Sequence, residues 1–261
     1  MRIGKLYILI TIVITLYLLA ACFRGGNTEI HKLNLPPERI RTNLDQAEQL
    51  YRARNIDGNL QEAVRLLSQV RDPDARNFEV EWKFSKFSYF LGKKLTDDAE
   101  REKTFEAGKS AGQIAMRLQP DKPDGYFWYA ANQGELARMS PITVGLRSVD
   151  DIREAMNKVI ELQPDYQGAS AYDALAQVEL GSRLTGGKAS KAVEYLEKAI
   201  TIEQHNSNLQ LHLAQAYLAA KQKDKARKQL ETVISMTPNP DFVAEHEANV
   251  AEARRLLASR F

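Results

Sequence analysis

The chain has 261 residues, and its 36 Lys and Arg against 34 Asp and Glu give a formal net charge of only +2 at pH 7. Such a balanced charge argues against nucleic acid as a partner, because phosphate binding depends on clustered cations. The single cysteine excludes an intramolecular disulfide and a metal site built from cysteines.

The first residues have the layout of an export signal. Basic Arg2 and Lys5 precede a charge-free apolar run, and the small-residue stretch 19–21 leads to Cys22. This stretch resembles the lipobox of bacterial lipoproteins, in which the cysteine becomes the first residue of the mature protein and is acylated, for example with palmitate. The resemblance predicts a signal peptide over residues 1–21 and a lipid anchor at Cys22.

An uncleaved membrane helix is the alternative for this segment, because about 20 apolar residues can span a bilayer. Removal of residues 1–21 would take Arg2 and Lys5 away and lower the formal charge from +2 to 0. The lipoprotein hypothesis places the chain on the periplasmic side of a bacterial cell envelope. Phe23, where many inner-membrane lipoproteins carry aspartate, favours the outer over the inner membrane.

The remaining chain divides into a tether and one helical domain. Residues 22–37 are polar after the cysteine and contain a Pro-Pro pair, which suits a short tether. Residues 38–261 open with an amphipathic helical hairpin over 44–70 and a turn at Asp57-Gly58. Two further helices are predicted over 78–91 and about 97–119.

The next helix contains the stretch GYFWYAANQGE at 125–135, with four consecutive aromatic residues from Tyr126 to Tyr129. Successive helical residues are rotated by about 100°, so these rings point most of the way round the axis. Either neighbours enclose the helix on several sides and all four rings are packing residues, or part of the ring faces a binding groove.

One short pattern closes four amphipathic helices: two adjacent apolar residues, a third apolar residue two positions later and, in most copies, a proline two positions after that. Three of the four copies end in a proline, which stops a helix from continuing. The copies begin at Ala115, Val159, Ala199 and Val233, at intervals of 44, 40 and 34 residues. The last interval is the period of a tetratricopeptide repeat. We therefore predict an all-α fold, an α-solenoid of tetratricopeptide-like hairpins with about eleven or twelve helices, closed by a C-terminal capping helix over about 242–257.

A more specific resemblance lies in the middle of the chain. The run 103–120, followed by Tyr126, Trp128, Asn132 and Gly134, resembles the T-component (TatT-like) lipoproteins of tetratricopeptide-associated TRAP transporters. The resemblance implies a periplasmic accessory subunit that docks a solute-binding P-component and assists ligand uptake, as a homotrimer with a central passage and without catalysis.

The chain departs from that family in one helix. Where a Leu-Gly pair and a later aromatic residue are expected after Tyr172, it has Leu175-Ala176 and Glu179. A general tetratricopeptide scaffold lipoprotein in cell-envelope assembly therefore remains the alternative function.

Candidate partner-binding residues come from first-helix positions that should line the groove of the solenoid. They are Tyr126, Trp128, Asn132, Asp173, Gln177, Asn208, Leu211 and Gln215. We expect no catalytic residue, metal site or cofactor, because the four histidines are scattered. The glycine-containing segment 181–190 also lacks the spacing of a phosphate-binding loop. An ordinary hydrated groove, without a partner, is the alternative interpretation of these positions.

Overall fold

The structure, a computed structural model, describes residues 35–140, 145–183, 186–238 and 243–261. The predicted signal peptide, Cys22 and the tether up to residue 34 lie outside these ranges. So do residues 141–144 and residues 184–185. Within the described ranges no helix is long and apolar enough to cross a bilayer.

The described chain folds into eleven α-helices and contains no strand, which confirms the predicted all-α repeat fold. The helices are α1 Pro37–Arg52, α2 Asn59–Ser68, α3 Phe78–Lys94, α4 Asp98–Leu118, α5 Pro123–Met139, α6 Leu146–Leu162, α7 Ser170–Gly181, α8 Ala189–Ile202, α9 Ser207–Ala219, α10 Lys223–Ser235 and α11 Val243–Arg260.

Short polar side chains define where several helices begin. The side chains of Asn77, Asp97 and Asn206 each accept a backbone N–H from the first turn of α3, α4 and α9, respectively. These bonds satisfy donors that have no partner inside the helix. α1 and α5 begin instead with a proline, whose missing N–H costs nothing at that position.

The helices pack as successive hairpins around a core that runs through the repeats. We call the odd-numbered helices first helices, and up to α9 each is followed by the second helix of its pair. Neighbouring first helices touch one another from α1 to α5 and from α7 to α11. We call the side of the molecule formed by these first helices the inner face. Buried apolar clusters occupy the space between first and second helices from α1 to α11.

The inner face of the first helices

The aromatic residues at the start of α5 are packing residues. Phe127, Trp128 and Tyr129 are 7, 3 and 8% exposed, and only Tyr126 is half-buried. The ring of Trp128 lies 5.8 Å from those of Tyr89 and Phe90, measured between centroids. This burial corrects the expectation that Trp128 anchors a partner in an open groove, because rings from α3 and α5 already enclose it.

Asn132 is also a core residue and not a groove residue. Its side chain is fully buried, and Nδ2 donates to the carbonyl oxygens of Ser85 at 3.1 Å and Trp128 at 2.8 Å. Its amide occupies the space that Gly108 on α4 leaves free. Asn132 therefore joins α3, α4 and α5 and is not available to a partner.

Leu211 requires the same correction. It is 4% exposed and packs with Leu230 and Val233 of α10 and Leu256 of α11. The cause is the position of α9, which is covered by α10 on one side and by α8 and α11 on others. Three of the eight candidate groove residues, Trp128, Asn132 and Leu211, thus lie in the core.

Three other candidates meet in one polar cluster that joins α7 and α9. Asp173 Oδ1 lies 2.7 Å from His212 Nδ1 and also accepts from Gln177 Nε2 at 3.4 Å. Asn208 Nδ2 lies 3.5 Å from the same His212 nitrogen. Asp173, Gln177, Asn208 and His212 form what we call the inner polar cluster. Its members are half-buried or exposed, so the cluster is organised and still open to a partner.

His212 was not among the predicted site residues. It follows Asn208 by four positions in α9, and residues four apart in a helix share a face. That spacing could have identified it once Asn208 had been placed on the inner face. Asp173, its hydrogen-bond partner, is on a different hairpin and could not be paired with it from the spacing alone.

A second polar group continues the inner face across α3 and α5. Glu135 Oε1 accepts from Lys93 Nζ at 3.3 Å and from Arg138 Nη1 at 2.7 Å. Tyr89 lies one turn before Lys93, and burial, aided by the carboxylates of Glu135 and Asp173, raises its pKa to about 12. Tyr89 is thus within electrostatic reach of both polar groups.

Aromatic rings also hold a lysine near this face. Lys86 Nζ lies 4.6 Å from the ring centroid of Tyr51 and 5.7 Å from that of Trp128. Burial lowers the pKa of Lys86, while Glu48 opposes that shift.

Within the described ranges, no three His, Cys, Asp or Glu residues are placed to hold a metal ion. The inner face offers hydrogen bonds and charges, which suits recognition of a polar partner surface.

Two open clefts lie towards the ends of the described repeats. One, of about 750 Å³, lies between α9, the start of α10 and the end of α11, and Gln215 lines it. The other, of about 430 Å³, lies between α1 and α2. Neither includes Trp128. Gln215 thus lies at this cleft and not in the inner polar cluster.

Comparisons with known proteins divide the chain into two parts. The model of the family described as regulator of microtubule dynamics protein 1-3 matches residues 43–172, and a tetratricopeptide-repeat model matches residues 184–259. The rat protein named regulator of microtubule dynamics protein 3 is 26% identical over 129 residues. That stretch is 49% of this chain and only 27% of the rat protein.

Solved structures show the same fold. A thermophilic tetratricopeptide-repeat protein of Thermus thermophilus superposes with a TM-score of 0.60 at 18% identity, covering 83% of this chain and 99% of its own. MamA of Desulfovibrio magneticus RS-1 gives 0.51 at 15% identity, covering 85% and 98%. The fold and the inner face define a helical-repeat protein. The chain has the fold of a tetratricopeptide-repeat protein, and residues 184–259 match that repeat family.

Proposed function

We propose that this chain is a membrane-anchored periplasmic lipoprotein that binds a partner protein through the inner face of its first helices. The inner polar cluster is the observation that carries the proposal. Repeat proteins present extended surfaces of this kind to their partners. The 2.7 Å contact between Asp173 and His212 fixes side chains from two hairpins, so less side-chain freedom is lost when a partner binds.

We propose more specifically that the chain is the accessory subunit of a TRAP-type solute transporter. It would dock the solute-binding P-component and hold it beside the membrane while ligand is taken up, as a homotrimer if it follows the T-component pattern. The resemblance over 103–134 supports this form. The rat relative is named for microtubule dynamics, whereas an exported lipoprotein would not meet microtubules.

The polar groups of the inner face suggest how a partner would be held. Asn208 and Gln177 each keep amide hydrogen-bonding capacity that the cluster does not use. The Tyr89 hydroxyl and the Lys93–Glu135–Arg138 group extend the contact towards α3 and α5. A partner that spans both groups would cover four first helices.

A second candidate function follows from the burial of Trp128. A subunit that itself conducts an organic ligand needs an accessible apolar surface, and the aromatic residues expected to supply it are used in packing. This favours a general scaffold lipoprotein of envelope assembly over a subunit with a ligand passage. The two candidates differ in the partner that they bind.

Capture of partners by the full-length chain tests the proposal. The chain is tagged, expressed in its own organism, cross-linked and purified, and co-purifying proteins are identified by mass spectrometry. We expect a P-component, and we expect the double variant Asp173→Ala/His212→Ala to recover it about tenfold less, because the loss of polar contacts at an interface commonly costs that much.

The matched control is the double variant Lys158→Ala/Glu161→Ala, which removes a 2.7 Å ion pair from second helix α6. It should capture the partner as the unaltered chain does. An integral outer-membrane partner whose capture needs the inner cluster would support the scaffold function instead. Equal capture by both double variants would exclude the inner face as the binding surface.

The lipid anchor has its own test. Cys22→Ala should accumulate as an unprocessed precursor and take up no labelled palmitate. Ser207→Ala, a substitution far along the chain, should be processed and labelled normally. Full labelling of the Cys22 variant would refute the anchor.

A further inference from the structure

The larger cleft combines apolar and cationic side chains, unlike the inner polar cluster. It lies between the C-terminal ends of first helices α9 and α11 and the turn that leads into α10. It continues the inner face along α9, because Gln215 follows His212 by three residues. Its lining residues are Gln215, Leu218, Ala219, Lys221, Lys223, Leu256, Ser259 and Arg260.

The cleft has an apolar floor and a cationic rim. Leu218, Ala219 and Leu256 form the floor and are half-buried or buried, whereas Lys221, Lys223 and Arg260 are exposed at the rim. None of the lining residues is acidic. In the described part of the chain, none of the three cations forms an ion pair. They are therefore available to an anionic partner.

Positive charge is concentrated in this part of the molecule. Residues 221–231 contain five cationic and two acidic side chains, although the whole chain carries a net charge of only +2. The C-terminal ends of α9 and α11 add partial negative charge, about half an elementary charge each. That is less than the three full charges of the rim, so the cleft remains positive.

We propose that this cleft binds a segment of the partner protein in which acidic side chains flank a large apolar one. The apolar side chain would cover the floor, and the carboxylates would meet Lys221, Lys223 and Arg260. This inference rests on the proposed function in that it gives the chemistry of the partner. A peptide fits better than a flat membrane surface, because the floor is recessed between two helices and about 750 Å³ is the size of a ligand pocket.

A synthetic peptide tests the proposal without any knowledge of the partner. The probe is a short fluorescent peptide in which glutamates flank one leucine, titrated with the full-length chain in a zwitterionic detergent, and binding is followed by fluorescence anisotropy. We expect saturable binding that weakens as salt is raised. A peptide with serine in place of leucine should bind more weakly, and one with lysines in place of glutamates should not bind.

The decisive variant is Lys221→Glu/Lys223→Glu/Arg260→Glu, which should lower the affinity for the acidic peptide by about tenfold or more. The control with the same change of charge is Lys103→Glu/Lys122→Glu/Lys198→Glu, at exposed positions elsewhere in the chain. It should lower the affinity much less. Equal losses in the two triple variants would overturn the proposal, as would equal binding of the leucine and serine peptides.

A membrane surface is the competing partner and is tested in the same way. Acetylation of lysines, read by mass spectrometry, should be slowed at Lys221 and Lys223 by the acidic peptide. Protection by phosphatidylglycerol vesicles, with none from the peptide, would overturn the proposal. Failed capture of a P-component together with normal peptide binding would refute only the transporter role.

Discussion

The two halves of this solenoid fill the space between helices with different side chains. From α3 to α5 glycines allow close approach: an added Cβ at Gly92 would lie 2.5 Å from the ring of Phe105, and one at Gly112 would lie 2.7 Å from the backbone of Tyr129. From α7 to α10 the core consists mainly of alanine and leucine, with Ala176, Ala192 and Leu196 fully buried.

The two parts of the chain also match different family models, over residues 43–172 and 184–259. Repeated small residues at fixed positions are the signature of a tetratricopeptide hairpin, and only the second half keeps them at a period of 34. In the first half the rings contact one another, and Trp128 alone meets three of them, so one truncation removes several contacts. We expect the first half to be the less tolerant of substitution, and the following predictions test that expectation.

The largest effect should come from Trp128. Trp128→Ala removes a buried ring that contacts Phe127, Tyr89 and Phe90, and truncations of this kind cost about 3–5 kcal/mol of unfolding free energy. Urea denaturation followed by circular dichroism measures it. Trp82→Ala is the matched control in the same half, because Trp82 is only partly buried, and it should cost about 1–2 kcal/mol. Similar losses for the two would show that Trp128 is not a central packing residue.

Buried glutamates offer the next comparison. Glu81 at the start of α3 is fully buried and accepts from Arg71 Nη2 at 2.7 Å and Arg76 Nη1 at 2.8 Å, which ties down the preceding loop. Glu81→Gln keeps the shape but leaves two cations without their counter-ion, so we expect a loss of about 2–4 kcal/mol.

Glu179 in the second half performs the same task with longer ion contacts, since Lys191 Nζ lies 3.9 Å from its Oε1. It accepts from the backbone N–H of Lys188 at 2.8 Å and from Arg153 Nη2 at 3.1 Å. Glu179→Gln should therefore cost less, about 1–2 kcal/mol in the same urea experiment. A larger loss for Glu179 than for Glu81 would contradict the view that the first half is more finely fitted.

These glutamates also mark what sequence could and could not predict. The repeat period and the helix-ending prolines were enough for the fold, because both are local signals. From the sequence, Glu179 stands out only because an aromatic residue is expected there. Its contact with Arg153 cannot be predicted, because Arg153 lies on the preceding helix. Its buried carboxylate holds the loop by hydrogen bonds.

The site was predicted less completely than the fold. Asp173, Gln177 and Asn208 meet at His212, and none of the three is in the core. Leu211 was misplaced because α9 is apolar round most of its circumference, so its helical periodicity does not reveal which side is open. The burial of Trp128 depends on rings of α3, two helices earlier in the chain.

Two glycines allow the same substitution in opposite environments. At Gly112 an added methyl group would press on the backbone of α5, and over-packing of this kind costs about 1–3 kcal/mol. At Gly134, also helical, no atom lies within 4 Å of an added Cβ. Gly134→Ala should raise stability by about 0.5–1 kcal/mol, since alanine favours the helix. Thermal unfolding should show a lower stability for Gly112→Ala and a higher one for Gly134→Ala. Stabilisation by both substitutions would show that α4 and α5 can move apart freely.

The smallest losses of stability at neutral pH should come from two tyrosine substitutions, and one of them should change how stability depends on pH above 10. The hydroxyl of Tyr217 donates to Glu197 at 2.7 Å, so Tyr217→Phe should cost about 1 kcal/mol at pH 7. Tyr89 has no hydrogen-bond partner within the described ranges, and Tyr89→Phe should be nearly neutral there.

Burial raises the pKa of Tyr89 to about 12, against about 10 in the unfolded chain. The folded state therefore keeps its proton while the unfolded state releases it, and stability falls as pH rises from 10 towards 12. Tyr89→Phe removes this contribution, so its stability should fall by about 1–3 kcal/mol less than that of the unaltered chain across that interval. Urea unfolding at pH 7, 10 and 12 measures the difference. If the free energy of unfolding changed with pH in the same way in both proteins, Tyr89 would be open to water in the folded state. The inner face would then be less closely packed at α3 than the neighbouring rings imply.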